Sequence, residues 1–178
     1  VAALKEDGLD NGNPNPIDGD GIPGLFNALG LMATGRDDVL PLVKSKIRQI
    51  SEAPIDGMKW GHAWGLITLA EYHLLTGDKR VMPAIRRYAV ETARGQSIAG
   101  TWGHGFAADD GILAGYGAMN QLGNAHTIGL ILARKCGVAD LVVKQAIEKS
   151  IRFFEYYVGK GAVPYGAHEA GDKFGPDD

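Results

Sequence analysis

Apolar residues recur every three to four positions along most of the chain, the spacing of one face of a helix. Three stretches share one plan: "GLFNALGLMATGRDDVLPLVKSKI" from Gly24, "GLITLAEYHLLTGDKRVMPAIRRYA" from Gly65 and "HTIGLILARKCGVADLVVKQAIEKS" from His126. Each holds an apolar helical run, a glycine stop, a short turn and a second, amphipathic run. Thr34-Gly35 and Thr76-Gly77 stand 42 residues apart, and Pro41 and Pro83 repeat that offset. Gly137 follows Gly77 by 60 residues, so the third unit is longer by 18. Gly35, Gly77 and Gly137 suit the left-handed residue that closes a helix. Pro41 and Pro83 suit a first helical turn, where a missing N–H costs little. Asp37, Asp38, Asp78 and Asp140 stand where side-chain oxygens can cap free N–H groups.

The first run of each unit is apolar nearly all round, as in "WGLITLAEYHLL" and "HTIGLILA". Such a run predicts an inner helix buried on most sides, with Leu69 and Ile131 in the interior. The second runs carry one stripe. In the third unit the stripe is Val143, Ile147, Ile151, Phe154 and Val158, with Lys144, Glu148, Arg152 and Glu155 opposite and Glu148–Arg152 as an i,i+4 pair. No stretch alternates at period two for long enough to predict a sheet. The expected fold is all-α: repeated α-hairpins forming a partial α/α toroid, with three helix pairs and the start of a fourth. Residues 1–21 read as a flexible, acidic, Gly- and Pro-rich lead-in, 22–159 as the hairpins and 160–178 as a further repeat cut short. An array that stops while opening a unit is expected to pack on missing repeats of the same chain or to self-associate. The chain also begins without Met or a signal-peptide pattern, as a mature or excised piece would.

Composition narrows the partners. A net charge of −3 leaves no basic footprint for nucleic acid. No run of apolar residues is long enough to predict a membrane span. Cys136 is the single cysteine, so it forms no internal disulfide; within "ILARKCGV" it reads as a buried structural thiol.

A glycine–aromatic phrase carries the candidate chemistry. Trp60-Gly61-His62 and Trp102-Gly103-His104 lie 42 residues apart, and "VPYGAH", with Tyr165 and His168, is a looser third copy. As chemistry, His62 and His104 are candidate metal ligands or an acid–base pair. As architecture, the Trp fills a gap between helix pairs while the His binds a backbone carbonyl. The extra 18 residues of unit three fall beside this phrase, within "GFAADDGILAGYGAMNQLG". Asp109 and Asp110 there are candidates for acid–base work or for holding a cation, or they form a solvated turn before Gly111. Tyr116, Asn120, Gln121, Asn124 and His126 are the residue types a lyase uses as base and charge stabiliser, or buried groups that satisfy loop carbonyls. His73 reads as a packing histidine and Glu71 as a helix–helix hydrogen-bonding group. The oxygen-rich "DGLDNGNPNPIDGDG" has no calcium-loop register, and the residues name no metal and no cofactor.

"GTWGHGFAADDG", "GYGAMNQLGNAHTIGLILARKCGV" and "FFEYYVGKGAVPYGAH" resemble an uncharacterised bacterial family with an α/α-toroid domain. The resemblance covers most of residues 20–170 and extends to the fold group of terpenoid cyclases, protein prenyltransferases and toroid polysaccharide lyases. It implies the toroid fold and an extracytoplasmic location, and no particular activity. The motifs of better-known relatives fail at decisive residues. "FAADD" has Ala107 where a D-x-D-D acid needs Asp, Asp109-Asp110 leads into Gly111-Ile112-Leu113 and not D-D-x-x-D, and no second cysteine exists for a zinc-dependent lanthionine cyclase. The leading expectation is therefore a ligand-binding toroid domain, with a glycan as candidate ligand at the loops before the inner helices. Trp60, Trp102, Tyr116 and Tyr165 would stack on sugar rings, with His62, Asn120, Gln121 and His168 beside them. His104, Asp109, Asp110 and His126 would supply acid–base chemistry. The alternative is a non-catalytic helical-repeat scaffold that binds protein or itself; an isoprenoid cyclase-like enzyme is the third reading. An aromatic-walled pocket holding Asp109, Asp110 and His126 within reach would favour the first, and a flat apolar edge with those residues scattered would favour the second.

Overall fold

The computed structural model describes residues 22–54, 59–115, 117–161, 163 and 165–167. Six helices form three hairpins: α1 (Ile22–Ala33) with α2 (Leu40–Glu52), α3 (Lys59–Thr76) with α4 (Met82–Arg94), and α5 (Asn120–Lys135) with α6 (Leu141–Glu155). α3 packs between α1 and α5, and α4 packs between α3, α5 and α6. The first helices thus form one layer and the second helices another. Short 3₁₀ turns, Asp37–Val39 and Lys79–Val81, lead into α2 and α4. A two-residue antiparallel ladder joins β1 (Ala118–Met119) to β2 (Gly166–Ala167), pairing Ala118 with Ala167 and Met119 with Gly166. Residues 1–21 and the segment beyond 167 lie outside the described residues.

The predicted punctuation is in place. Gly35, Gly77 and Gly137 adopt φ of 64°, 69° and 105°. After α5 the Gly137 N–H donates to Arg134 O (3.0 Å) and the Val138 N–H to Ala133 O (3.0 Å), so the last carbonyls are satisfied. Pro41 and Pro83 sit at the first turns of α2 and α4. Thr34 and Thr76 act alike: each hydroxyl donates to a helix carbonyl, Leu31 O and Tyr72 O (both 2.7 Å), and accepts the N–H two residues on.

α3 is the hub. Leu66, Leu69 and Tyr72 join the main core with Leu25, Ile50, Ile85 and Tyr88, while Ala63 and Ile67 join a second cluster with Met119, Leu122 and Ala125. A helix apolar on two faces is explained by burial on both. Two glycines set the approach distances. A Cβ on Gly65 would lie 3.2 Å from the Tyr88 ring, and one on Gly129 would lie 3.1 Å from Leu66.

Several expectations need correction. Ile131 is 39% exposed, so α5 presents an apolar face outward although Leu69 is fully buried. The α6 stripe is covered only in part: Val143 is buried, Ile151 is exposed, and Val158 lies beyond the helix and is exposed. Glu148 pairs with Lys144 (3.7 Å) instead of Arg152. Glu71 is exposed, with its charge beside Cys136, and makes no helix–helix hydrogen bond among the described residues. Of the four aspartates only Asp78 caps, accepting the Arg80 N–H (3.0 Å). Asp38 and Asp140 are captured by guanidinium groups, of Arg36 (2.7 Å) and Arg86 (2.6 Å), the stronger charge-assisted option. Cys136 is half-buried, 3.6 Å from Ala70 O, and burial, with Glu71 beside it, pushes its thiol up to about 11. That keeps it protonated and inert near neutrality.

Candidate functional site

The starts of α3 and α5 meet the long α4–α5 connection at one end of the molecule. The two copies of the repeated phrase touch there, but they are not equivalent. Trp60-Gly61-His62 lies in the first turn of α3, whereas Trp102-Gly103-His104 lies in irregular chain well before α5. "AWGL" continues the helical period after His62. Gly105 and the turn at Ala108–Gly111 break it after His104.

The connection is folded tightly. The Gln96 amide donates to Gly100 O (3.0 Å), Ala146 O (2.9 Å) and Ser150 Oγ (3.0 Å), pinning the end of α4 to α6. Lys149 Nζ donates to Ser97 O (2.7 Å). The Met119 N–H donates to Trp102 O (2.9 Å), which fixes the approach to α5.

Inside this wrapping sits a cluster of rings. His62 faces Tyr88 (4.6 Å between centroids), Phe106 (5.2 Å) and His126 (6.0 Å). His126 also faces Trp102 (5.1 Å) and Phe106 (5.8 Å). His62, His126 and Trp102 are fully buried. Trp102 Nε1 donates to Thr92 O (2.8 Å). His62 Nε2 lies 3.1 Å from Tyr88 O; a carbonyl only accepts, so Nε2 carries the proton. Trp60, half-buried, donates its Nε1–H to His104 Nδ1 (3.3 Å), so a neutral His104 is protonated on Nε2. Burial pushes the Tyr88 phenol far above its ordinary value, and its hydroxyl donates to Ile50 O (3.1 Å).

The remaining candidates are dispersed. Asp109 and Asp110 are exposed in the Ala108–Gly111 turn, where Asp110 Oδ1 accepts the Ile112 N–H (2.9 Å). Asn120 is buried at the start of α5, its N–H donating to Tyr165 O (3.0 Å), while Gln121 is exposed. The Tyr165 ring is 65% exposed. Tyr116 and His168 lie outside the described residues. So the structure gathers His62, Trp102 and His126 into one buried cluster, sets Trp60 and His104 against each other, and leaves the aspartates in solvent. Phe106 and Tyr88 complete the cluster without having been singled out by sequence; Phe106 follows the second phrase by two residues, and that proximity was the only signal. Among the described residues no group of three or more His, Cys, Asp or Glu side chains could hold a metal ion. Nor is any of their helices long and apolar enough to cross a membrane.

A cleft of about 430 Å³ opens at the opposite end, between the α1–α2 and α3–α4 turns. Arg36, Lys44, Tyr72, Leu75 and Arg80 line it. Sequence reasoning treated those turns as punctuation only.

No curated protein and no solved structure matches the chain. Residues 11–177 match the model of a family described as a domain of unknown function (DUF6288), and the chain belongs to that family.

Proposed function

We propose that this domain is a non-catalytic helical-repeat module that stacks on a second copy of itself through the open side of its last hairpin. One observation carries the reading: Ile128, Ile131 and Ile151 stand exposed on the adjacent helices α5 and α6, and the groove between them holds Ile131 and Ile147 among Arg134, Lys135, Lys144 and Glu148. Isolated exposed apolar residues need no explanation, but a row shared by two helices does. Inside the chain such rows are covered by the next hairpin, as Gly129 of α5 receives Leu66 of α3. At the other end of the array α1 offers Phe26, half-exposed with its ring edge-on to Trp64 of α3 (4.6 Å between centroids), near small Gly30 and Ala33. Joining unlike edges is a heterologous contact, which closes into a ring or continues as an array. A partial α/α toroid completed by neighbouring copies would be such a ring. The face of α5 and α6 measures about 22 Å by about 20 Å, at the low end for a specific interface, so the association is weak.

Sedimentation velocity over a concentration series tests this. The wild type should sediment faster as concentration rises, and Ile131→Asp should remain monomeric with an unchanged circular dichroism spectrum. A wild type that stays monomeric at its solubility limit defeats the proposal.

The glycan reading keeps one foothold, the exposed Tyr165 ring at the same end as Asp109 and Asp110. Against it, Trp102, His62 and His126 are enclosed in packing. A glycan array answered only by silence removes that second reading.

A further inference from the structure

We infer that the cleft between the two threonine–glycine turns binds a small amphiphilic oxyanion, a carboxylate or phosphate ester carrying an apolar body. Its walls come from both repeats. Met32 and Leu40 stand on the first hairpin, and Tyr72 and Leu75 on the second. Leu75 is half exposed although it ends a core helix, so apolar surface is held open to solvent inside a concavity. The volume, about 430 Å³, lies within the range of small-molecule sites. A second groove of about 710 Å³ shares Lys44, Tyr72, Asp78 and Arg80 with it, so the concavity continues along α2.

The rim carries charge of both signs. Each turn holds an arginine clamped by an aspartate two residues away. Arg36 donates Nε and Nη2 to Asp38 (2.8 and 2.7 Å), and Arg80 donates Nε and Nη2 to Asp78 (2.9 and 2.6 Å). Tyr72 also donates its hydroxyl to Asp78 (3.3 Å), so that carboxylate is heavily engaged. Both arginine side chains are exposed, and each guanidinium, held along one edge, keeps donors on the other that an anion at the rim can take. Lys44 lines both grooves and makes no hydrogen bond or ion pair among the described residues. It is the cation left to neutralise a ligand. Asp37 also lines the cleft, and it opposes a multiply charged anion more than a singly charged one. The apolar walls, the Lys44 ammonium and the free edges of two guanidinium groups call for a single anionic head on a hydrocarbon body, set clear of Asp37.

Two-dimensional ¹H–¹⁵N NMR of the whole chain, titrated with octanoate, octyl phosphate and neutral octyl glucoside, tests the inference. Both anions should give saturable shifts at Lys44, Tyr72, Leu75 and Arg80, and added salt should weaken them. The glucoside should leave those amides unmoved. Lys44→Glu, a surface change, should weaken binding about tenfold with the rest of the spectrum unchanged. Equal shifts from the glucoside, shifts that never saturate, or a Lys44→Glu chain that binds as well as wild type would each overturn it. Leu75→Gln gives an independent check by removing wall surface without touching charge; unchanged octanoate affinity there would also count against the site.

Discussion

Gly100 and Gly35 share a left-handed backbone, yet their surroundings differ. Gly100 has φ +102°, and a Cβ there would lie 2.6 Å from Lys149 O, a backbone atom that cannot step aside. Gly35 has φ +64° with nothing within 4 Å of the added carbon. Gly35→Ala therefore meets backbone strain alone, about 1–2 kcal/mol. Gly100→Ala adds a collision that parts the α4–α5 connection from α6, where the Gln96 and Lys149 bonds hold it. Urea unfolding of the two variants should show Gly100→Ala losing at least twice as much stability as Gly35→Ala. Equal losses would mean that the connection does not bear on α6 as described. The same surroundings explain the ring cluster. Trp102, Tyr88 and His62 each send one polar hydrogen to a backbone carbonyl, so their apolar bodies can be buried without leaving a donor unsatisfied.

At the scale of helices and turns, ion pairs take two of the aspartates expected to cap, one locally and one across the fold. Asp140 precedes α6 but its carboxylate lies on Arg86 of α4, 54 residues away (2.6 Å). The side-chain bond with Arg86 holds Asp140 below the usual carboxylate range, and bonds from the Arg80 side chain and backbone hold Asp78 far below it. The unfolded chain takes up these protons near the ordinary aspartate value, about 3.9, while the folded chain does not. Their stabilisation is thus complete above about pH 5 and is lost as pH falls through the depressed folded values. Arg86→Ala releases Asp140, so its urea midpoint should decline less steeply than wild type as pH falls from about 4. Parallel declines would show that the pair contributes nothing. These captures also mark how far sequence could be read. Glycine stops and first-turn prolines were legible because their causes are local. The fate of Asp140 was not, because its cation, Arg86, lies 54 residues away; Asp38 and Glu148 took local cations, Arg36 and Lys144, from among several that the sequence offered nearby. The period of α5 showed which residues share a stripe and could not show that Ile131 would lack a neighbour. The repeated Trp-Gly-His phrase was legible as packing, since Trp102 is buried and His62 meets a backbone carbonyl, but not as a structural repeat: a tripeptide takes the conformation that its continuation permits. The cleft at the far end was illegible because two turns, each ordinary by itself, form it only when the hairpins lie side by side.

For the molecule as a whole, the position of α3 decides where stability resides. It meets both neighbouring hairpins, and Leu66, Leu69 and Ala70 are fully buried within it. α6 packs on α4 and α5 and presents Ile151 and much of its surface to solvent. In an array where each hairpin touches only its neighbours, opening an end hairpin breaks one interface, whereas opening the middle breaks two. Native-state hydrogen exchange should follow that difference. Amides of α3 from Leu66 to Ala70 are expected to exchange only through global unfolding. Those in the last two turns of α6 should exchange through a smaller opening that depends weakly on urea. Self-association adds a second, separable expectation. As concentration rises, protection should increase on α5 and α6 around Ile128, Ile131 and Ile151 and on α1 around Phe26, and stay constant in α3, because a heterologous contact covers the two end faces and not the middle hairpin. Uniform protection from α3 to α6 in dilute solution would remove the hierarchy, and protection of α6 that ignores concentration would remove the stacked copy. The two results are independent, since the first follows from the hairpin order within one chain and the second from what meets its uncovered isoleucines.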